Sequence, residues 1–408
     1  MQLFKLEKCL LNVIFLATII FFNTCDYAAC LESAKKIKEL GYPLMTYQVW
    51  TADKYLLGLE RIPHSKHRNE SIGKPVLLLH GLYLSSAIFT INNSSLSFVL
   101  SDAGFDVWLF NARGVGLSRK LSIYKKPGLQ PKMNSISWDF SFHEMGVYDM
   151  TTAIDFILKS TGHSKLDVVG YSLGTTISLA CLSDRPEYNS KINKLVLMAP
   201  TSRLKSSGMP INIFKQFSKI VNIFLDRINF FPYTNDPDTT YRLIRRMCTN
   251  QSAFKYCRQF IDFAQGIILP MNNDTILDIV SEFPQPMSSK TLKHMLQLLT
   301  SGRFGHYDYG PYGNMLHYHT KTAPDYDLSK ITAPTYIIYS KNDSLVHPKD
   351  VKWLITQLPN IKDVHYIEKI PFGHFSFSLS PIMKEVVNMY ITNKLLDNDL
   401  ELQKSNII

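Results

Sequence analysis

Gly170-Tyr171-Ser172-Leu173-Gly174 is the segment of this chain best suited to covalent chemistry. It fits Gly-x-Ser-x-Gly. The apolar run Leu166-Asp167-Val168-Val169 leads in, and the helix-prone stretch 175–182 leads out. A serine between a strand and a helix occupies a sharp turn, where flanking glycines avoid Cβ clashes. That turn lifts Oγ above the sheet, near a helix N-terminus that favours developing negative charge. The chemistry is acyl transfer on a carboxylic ester.

A serine hydroxyl attacks poorly unless a base takes its proton. In this type of turn the chain order is serine, acid, histidine. Asp343, in Ser-Lys-Asn-Asp-Ser, follows one late apolar run, and His374, in Pro-Phe-Gly-His-Phe, follows the next. Both fall where open α/β sheets place their sites, at C-terminal strand ends. His374 is the expected base and then acid, and Asp343 orients its ring and stabilises the imidazolium. His347 and His365 are weaker alternatives, one beside Asp343 and one inside a predicted strand. Leu79-His80-Gly81-Leu82 follows the first buried strand. The backbone N–H groups of Leu82 and Leu173 are the candidate oxyanion donors, each worth about 3–4 kcal/mol in the transition state. His80 reads as a residue that positions this loop.

Triad chemistry needs no metal or organic cofactor. The chain has 12 His but no His-Glu-x-x-His or Cys-x-x-Cys pattern, and His317 and His319 alone are a weak pair. Nor does it carry a glycine loop of the dinucleotide type. The net charge of +10 is scattered, without a run of five or six Lys/Arg, so no nucleic-acid partner is indicated.

The elements that must position these groups are legible as apolar, β-rich runs. They lie at 47–51, 55–61, 75–79, 105–110, 166–170, 194–199, 335–340 and 364–370. The first two form a hairpin across Ala52-Asp53-Lys54. From the third onward, helix-length stretches separate the runs, which predicts a mainly parallel sheet with helices on both faces. Ser141 and Glu144 have capping-box spacing, and Val147, Met150, Ile154 and Ile157 share one helical face. The alternation breaks over 201–322, read as a mostly helical cap inserted into the core. Within it, 211–231 is apolar at helical spacing. It is suited either to lining an acyl trench, with Phe224 as a lid residue, or to packing on the core.

At 408 residues and 45% hydrophobic composition, with 24 Phe and 21 Tyr, the chain can bury a large core. Lys5 and Lys8 precede an apolar stretch over 9–22 and small residues at Ala28 and Ala29. This reads as a secretory leader over 1–29, shorter than a membrane span, with a retained signal anchor as the alternative. No later stretch is long and apolar enough to span a bilayer. Secretion permits disulfides. Cys248 and Cys257 are the nearest partners, closing a short loop worth about 2–3 kcal/mol. Cys181 reads as a buried thiol, while the fates of Cys25 and Cys30 depend on the cleavage point. Acceptor sequons begin at Asn69, Asn92, Asn93, Asn250, Asn273 and Asn342. Asn342 abuts Asp343 and is the least suited to carry glycan. The expected organisation is leader 1–29, core 30–200, cap 201–322, core 323–396 and polar tail 397–408.

With these residues placed, the chain resembles the acid lipase family of the α/β-hydrolases, which includes gastric, lysosomal and insect lipases. The resemblance runs from Gly41-Tyr42-Pro43 through Asp106-Val107-Trp108-Leu109, Asn111-Ala112-Arg113-Gly114 and Trp138-Asp139-Phe140-Ser141-Phe142-His143-Glu144. It continues to Ser301-Gly302-Arg303-Phe304 and Tyr307-Asp308-Tyr309-Gly310. It implies an eight-stranded α/β-hydrolase fold and a secreted or lysosomal enzyme. The implied substrate is a neutral-lipid ester, triacylglycerol or cholesteryl ester, taken at an oil–water or membrane interface. It also implies glycosylation, acid tolerance and a cap disulfide at Cys248/Cys257. The alternatives are a carboxylesterase for small esters and a lipid-binding protein without catalysis. Oligomeric state is not legible. Three departures stand out: Leu173 where the family often has Gln, Ser376 where it often has Asp, and Lys54 where it often has Gly. The last is expected to be neutral.

Overall fold

The computed structural model describes residues 29–67, 73–121, 138–206 and 285–397, with a few positions between 207 and 284. Outside the described residues lie nearly all of the leader, Asn69, most of the 211–231 stretch with Phe224, Cys248, Cys257, Asn250, Asn273 and the tail from 398.

The eight strands are β1 (Met45–Trp50), β2 (Leu56–Ile62), β3 (Pro75–Leu79), β4 (Asp106–Phe110), β5 (Leu166–Tyr171), β6 (Ile192–Met198), β7 (Thr335–Ser340) and β8 (Ile361–Ile367). They form one sheet in the order β1-β2-β4-β3-β5-β6-β7-β8. β2 runs antiparallel to β1 and β4; the other neighbours are parallel. β3 and β5 are buried along their whole length, the reason their sequences, Asp167 apart, are apolar without alternation. Their successive side chains still face opposite ways. Leu77 and Leu79 join the core on one face, with Ile154 and Ile177. Val76 and Leu78 join the core on the other, with Phe98, Val387 and Ile391.

β8 starts three residues earlier than the apolar run suggests. It is an edge strand, mostly half-buried, so hydrophobicity marks its bounds poorly. The β1–β2 turn departs further. Lys54 has a φ of 71°, the left-handed region that glycine adopts freely. Lysine there is not neutral but costs about 1 kcal/mol in backbone strain.

The capping box at Ser141 and Glu144 forms as predicted, with Glu144 Oε2 accepting from the Ser141 N–H at 2.6 Å. The helix it opens widens into a π turn at Met145–Met150 before continuing as Thr151–Thr161. There Gly146 lies so close to the helix Leu173–Asp184 that an added Cβ would sit 2.8 Å from the Ile177 carbonyl. The helix that begins at Leu173 is thus clamped between the sheet and this helix, and Leu173 through Ser183 are all buried.

Of the expected cap, the returning part is described. The helix Ser289–Ser301 is capped by Ser288 and stacks His294 on Phe142 at 3.9 Å. His294 is fully buried, with Nε2 donating to the Gly305 carbonyl at 2.9 Å. Burial pushes its imidazole down to about 3, from an ordinary value near 6.5. The sign follows directly. The unfolded chain binds this proton below pH ~6.5 and the folded chain does not, so stability falls as pH drops from there toward ~3. His294→Gln keeps an amide donor for Gly305 but cannot titrate. Between pH 7 and ~4.5 the wild type should lose about 2–3 kcal/mol more than the variant, by chemical denaturation at both pH values. Parallel losses in the two proteins would refute this.

Candidate active site

β5 ends at Tyr171, and Ser172 turns the chain into the helix Leu173–Asp184 with φ 53° and ψ −115°. A side chain pays strain in that region, so surrounding structure must impose it. The Ser172 N–H donates to the Met198 carbonyl at 3.0 Å. Thr175 Oγ1 donates to the Ser172 carbonyl at 2.6 Å and accepts from the Thr201 N–H at 2.8 Å. Both motif glycines are sterically required. A Cβ at Gly174 would lie 2.3 Å from the Leu79 carbonyl oxygen, and one at Gly170 would lie 2.8 Å from the Gly174 backbone.

β7 carries Asp343 just past its C-terminal end and β8 carries His374 past its own. The structure brings both to Ser172. His374 Nε2 lies 2.8 Å from Ser172 Oγ, and His374 Nδ1 lies 2.8 Å from Asp343 Oδ2. Asp343 Oδ1 accepts from the Leu345 and Val346 N–H groups at 2.9 and 2.8 Å, which fixes the carboxylate plane. With both Asp343 oxygens occupied as acceptors, the ring places its proton on Nδ1 and offers Nε2 to the serine.

The His374 loop is held by residues the motif leaves anonymous. Tyr171 donates its hydroxyl to the His374 carbonyl at 2.9 Å and stacks on the imidazole at 5.5 Å. Ser340 Oγ donates to the Phe372 carbonyl. Ser376 Oγ accepts from the Gly373 N–H at 3.1 Å and so supports this loop. Tyr171 is the variable residue of the motif; its neighbour Ser172 is the only sequence clue to its role.

Leu173 contributes the first amide of its helix, one of the four that no helical carbonyl can satisfy. The His80–Leu82 loop passes directly over the serine: a Cβ on Gly81 would sit 3.3 Å from Ser172 Cβ. His80 anchors that loop. Its Nε2 accepts from the Ala112 N–H at 3.2 Å, and its Nδ1 faces the Gly81 carbonyl at 2.9 Å. Burial pushes His80 down to about 4, so at neutral pH it is an uncharged brace across the loops after β3 and β4.

The alternative histidines lie elsewhere. His347 caps the helix Pro348–Gln357, its Nδ1 accepting from the Lys349 N–H, and His365 stacks on Tyr390 at 4.5 Å. His317 stacks on Tyr309 at 3.9 Å, and His319 ends the helix Gly310–Tyr318. Neither belongs to a cluster of potential metal ligands among the described residues. Cys181 is a buried free thiol, and burial raises its pKa.

A family model described as the alpha/beta hydrolase fold matches residues 74–381, and one described as a partial alpha/beta-hydrolase lipase region matches residues 34–93. The chain is 36% identical over 376 residues to the gastric triacylglycerol lipase of Mus musculus, covering 89% of this chain and 91% of that protein. It is 34% identical to lipase member N of Homo sapiens, covering 83% and 84%, and 32% identical to lipase 1 of Drosophila melanogaster, covering 85% and 75%. Among solved structures, Acinetobacter baumannii lip1 matches with a TM-score of 0.50 at 15% identity, over 94% of this chain and 99% of that one, a likeness of fold alone. On the matched regions and the extent of these identities, the chain belongs to the acid lipase family of the α/β-hydrolases.

Proposed function

We propose that the protein hydrolyses neutral-lipid carboxylic esters, triacylglycerol or cholesteryl ester, through an acyl-enzyme on Ser172. The observation that carries this reading is the continuous chain Ser172–His374–Asp343, with both contacts at 2.8 Å above the C-terminal edge of a parallel sheet. Ser172 Oγ attacks the ester carbonyl carbon as His374 Nε2 takes its proton. The tetrahedral oxyanion is held by the Leu82 and Leu173 N–H groups. Collapse expels the alcohol, which leaves with the proton from His374. Water, activated by the same nitrogen, then attacks the acyl carbon and releases the acid while Ser172 recovers its proton.

The neutral-lipid assignment is supported by relatives named triacylglycerol lipases and by the insertion over 201–322, which we read as a cap above the serine. We also propose a leader over 1–29 and core segments 30–200 and 323–396. The remaining elements are a tail over 397–408, a Cys248–Cys257 disulfide, and secretion or delivery to the lysosome. Of the described sequons, Asn93 is exposed and suited to glycan, whereas Asn92 Oδ1 accepts from the Ser94 N–H at 2.9 Å. No helix among the described residues is long and apolar enough to cross a membrane.

The test is a hydrolysis panel of triolein, cholesteryl oleate and short-chain esters in detergent-dispersed form between pH ~4.5 and ~8. The expected outcome is turnover of at least one long-chain neutral lipid, at a specificity constant about tenfold or more above that for acetate esters. Hydrolysis confined to acetate and butyrate esters would make the protein a small-ester carboxylesterase. Lipid binding without any turnover would make it a lipid carrier.

A further inference from the structure

We infer that His143, Asp184 and His306 form a site for a borderline divalent cation of the Zn²⁺ class, separate from the serine centre. The three residues come from three distant parts of the chain. His143 lies in the first turn of the helix opened by Ser141, and Asp184 ends the helix that begins at Leu173. His306 follows the isolated bridge between Gly305 and Asp325 in the returning part of the insertion. Their ligand atoms all lie within 4.8 Å of one another. The three side chains are 29%, 24% and 14% exposed, so the group is recessed yet reachable from solvent.

The hydrogen-bond pattern around His306 points to a cation. Its Nδ1 lies 3.1 Å from the Pro324 carbonyl, which can only accept, so Nδ1 carries a proton. Its Nε2 lies 2.7 Å from Asp184 Oδ2, which also only accepts when ionised. A nitrogen lone pair and a carboxylate oxygen at that separation repel unless a positive charge lies between them. That charge is a second proton or a metal ion. His143 Nδ1 stands 3.6 Å from the same Asp184 oxygen and 3.0 Å from the Tyr326 hydroxyl, which can donate to its lone pair. A cation beside Asp184 would take this lone pair in place of the Tyr326 hydroxyl.

The donor set selects the ion. Two neutral imidazoles and one carboxylate with an open position suit Zn²⁺ and its neighbours, whereas Ca²⁺ and Mg²⁺ require more oxygen ligands. Tetrahedral ligands at zinc distances stand about 3.3 Å apart, between the 2.7 and 3.6 Å separations from Asp184 Oδ2 to the two rings. The two ring nitrogens lie within 4.8 Å of each other, so the rings must close by up to about 1.5 Å to reach that spacing. The Pro324 carbonyl supplies the outer contact that metal-bound imidazoles generally have, and Tyr326 stacks on His306 at 4.1 Å, fixing the ring plane. The helix Leu173–Asp184 has 12 residues, which puts this group about 18 Å along the axis from the serine turn. The cation would therefore act on stability, pinning the far end of the nucleophile helix to residues 305–326, and not on the reaction.

The test uses the untagged full chain, stripped with a chelator and re-equilibrated with Zn²⁺ at tens of micromolar. The expected result is about one Zn²⁺ per chain, a thermal midpoint raised by several degrees, and no such rise with Mg²⁺ or Ca²⁺. His306→Gln keeps an amide donor toward Asp184 but loses the imidazole; its zinc-dependent rise should vanish while kcat on a soluble ester stays within about twofold. Should that variant not fold, Co²⁺ added to the wild type gives a second reading: intense visible bands of a four-coordinate ion, absent in Asp184→Asn. Absence of stoichiometric zinc uptake by the wild type, or an equal zinc-dependent rise in the variants, overturns the assignment and leaves a proton as the charge between His306 and Asp184.

Discussion

Ser172→Ala is expected to lower kcat on any ester substrate by about 10⁵–10⁶-fold, with KM little changed. Alanine removes only Oγ, the atom 2.8 Å from His374 Nε2, and leaves the turn, its glycines and the Leu173 amide in place. The variant should therefore keep the wild-type thermal midpoint within a few degrees and still bind lipid. His374→Ala should cost about as much, and the double variant no more, because nucleophile and base act as one unit. Asp343→Asn should cost about 10⁴-fold: its amide can donate to His374 Nδ1 and so favour the wrong tautomer. The measurements are steady-state hydrolysis and labelling by a fluorophosphonate, which needs the activated oxygen. Retention of a tenth of wild-type turnover by Ser172→Ala would place the chemistry on another nucleophile, and the whole functional assignment would fall with it.

The same contacts show why this centre is legible in the sequence. Ser172 sits in a local motif whose glycines are demanded by backbone clashes, so the steric requirement is written in five consecutive residues. β3 and β5 are buried on both faces, and that leaves apolar runs broken only by Asp167. Asp343 and His374 need only chain order and strand ends to be found. What escapes depends on distant partners or on backbone angles. Tyr171 braces the His374 loop through a hydroxyl that no spacing rule marks. Ser376 stands in the sequence only as a departure from the resembled pattern, yet its Oγ accepts from Gly373. Lys54 reads as harmless because propensity does not show that φ is 71° there. The π turn at Met145–Met150 answers to packing of Gly146 on Ile177, a tertiary demand. His143, Asp184 and His306 are separated by long stretches of chain, so no motif could join them.

Arg113→Met is expected to destabilise the fold by about 3–5 kcal/mol, the typical cost of stranding one partner of a buried ion pair. The guanidinium is almost fully buried and holds two carboxylates. It donates from Nε and Nη2 to Asp149 at 2.9 and 2.6 Å, and from Nη1 and Nη2 to Asp53 at 2.7 and 3.0 Å. The Arg113 N–H reaches Asp149 as well, at 3.0 Å. The Tyr55 ring covers the guanidinium at 4.0 Å. One side chain thus ties the loop after β4 to the β1–β2 turn and to the helix that clamps the helix beginning at Leu173. Asp149 is completely enclosed, and burial already holds its carboxyl above the usual carboxylate range, with Arg113 opposing that rise. Without the arginine the folded protein must bind a proton there that the unfolded chain releases near pH ~4. A raised folded value gives stability that is present at low pH and lost as pH rises, so the penalty should be largest at neutral pH and shrink toward pH ~5. Methionine fills much of the arginine's volume, which keeps cavity formation a minor part of the loss. Adding Asp149→Leu removes the stranded charge, and the double variant should recover about half or more of the stability lost by Arg113→Met alone. Urea midpoints at the two pH values decide it. A single-variant loss below about 1 kcal/mol, or a double variant as unstable as the sum of the two singles, would mean that the arginine contributes packing and not charge.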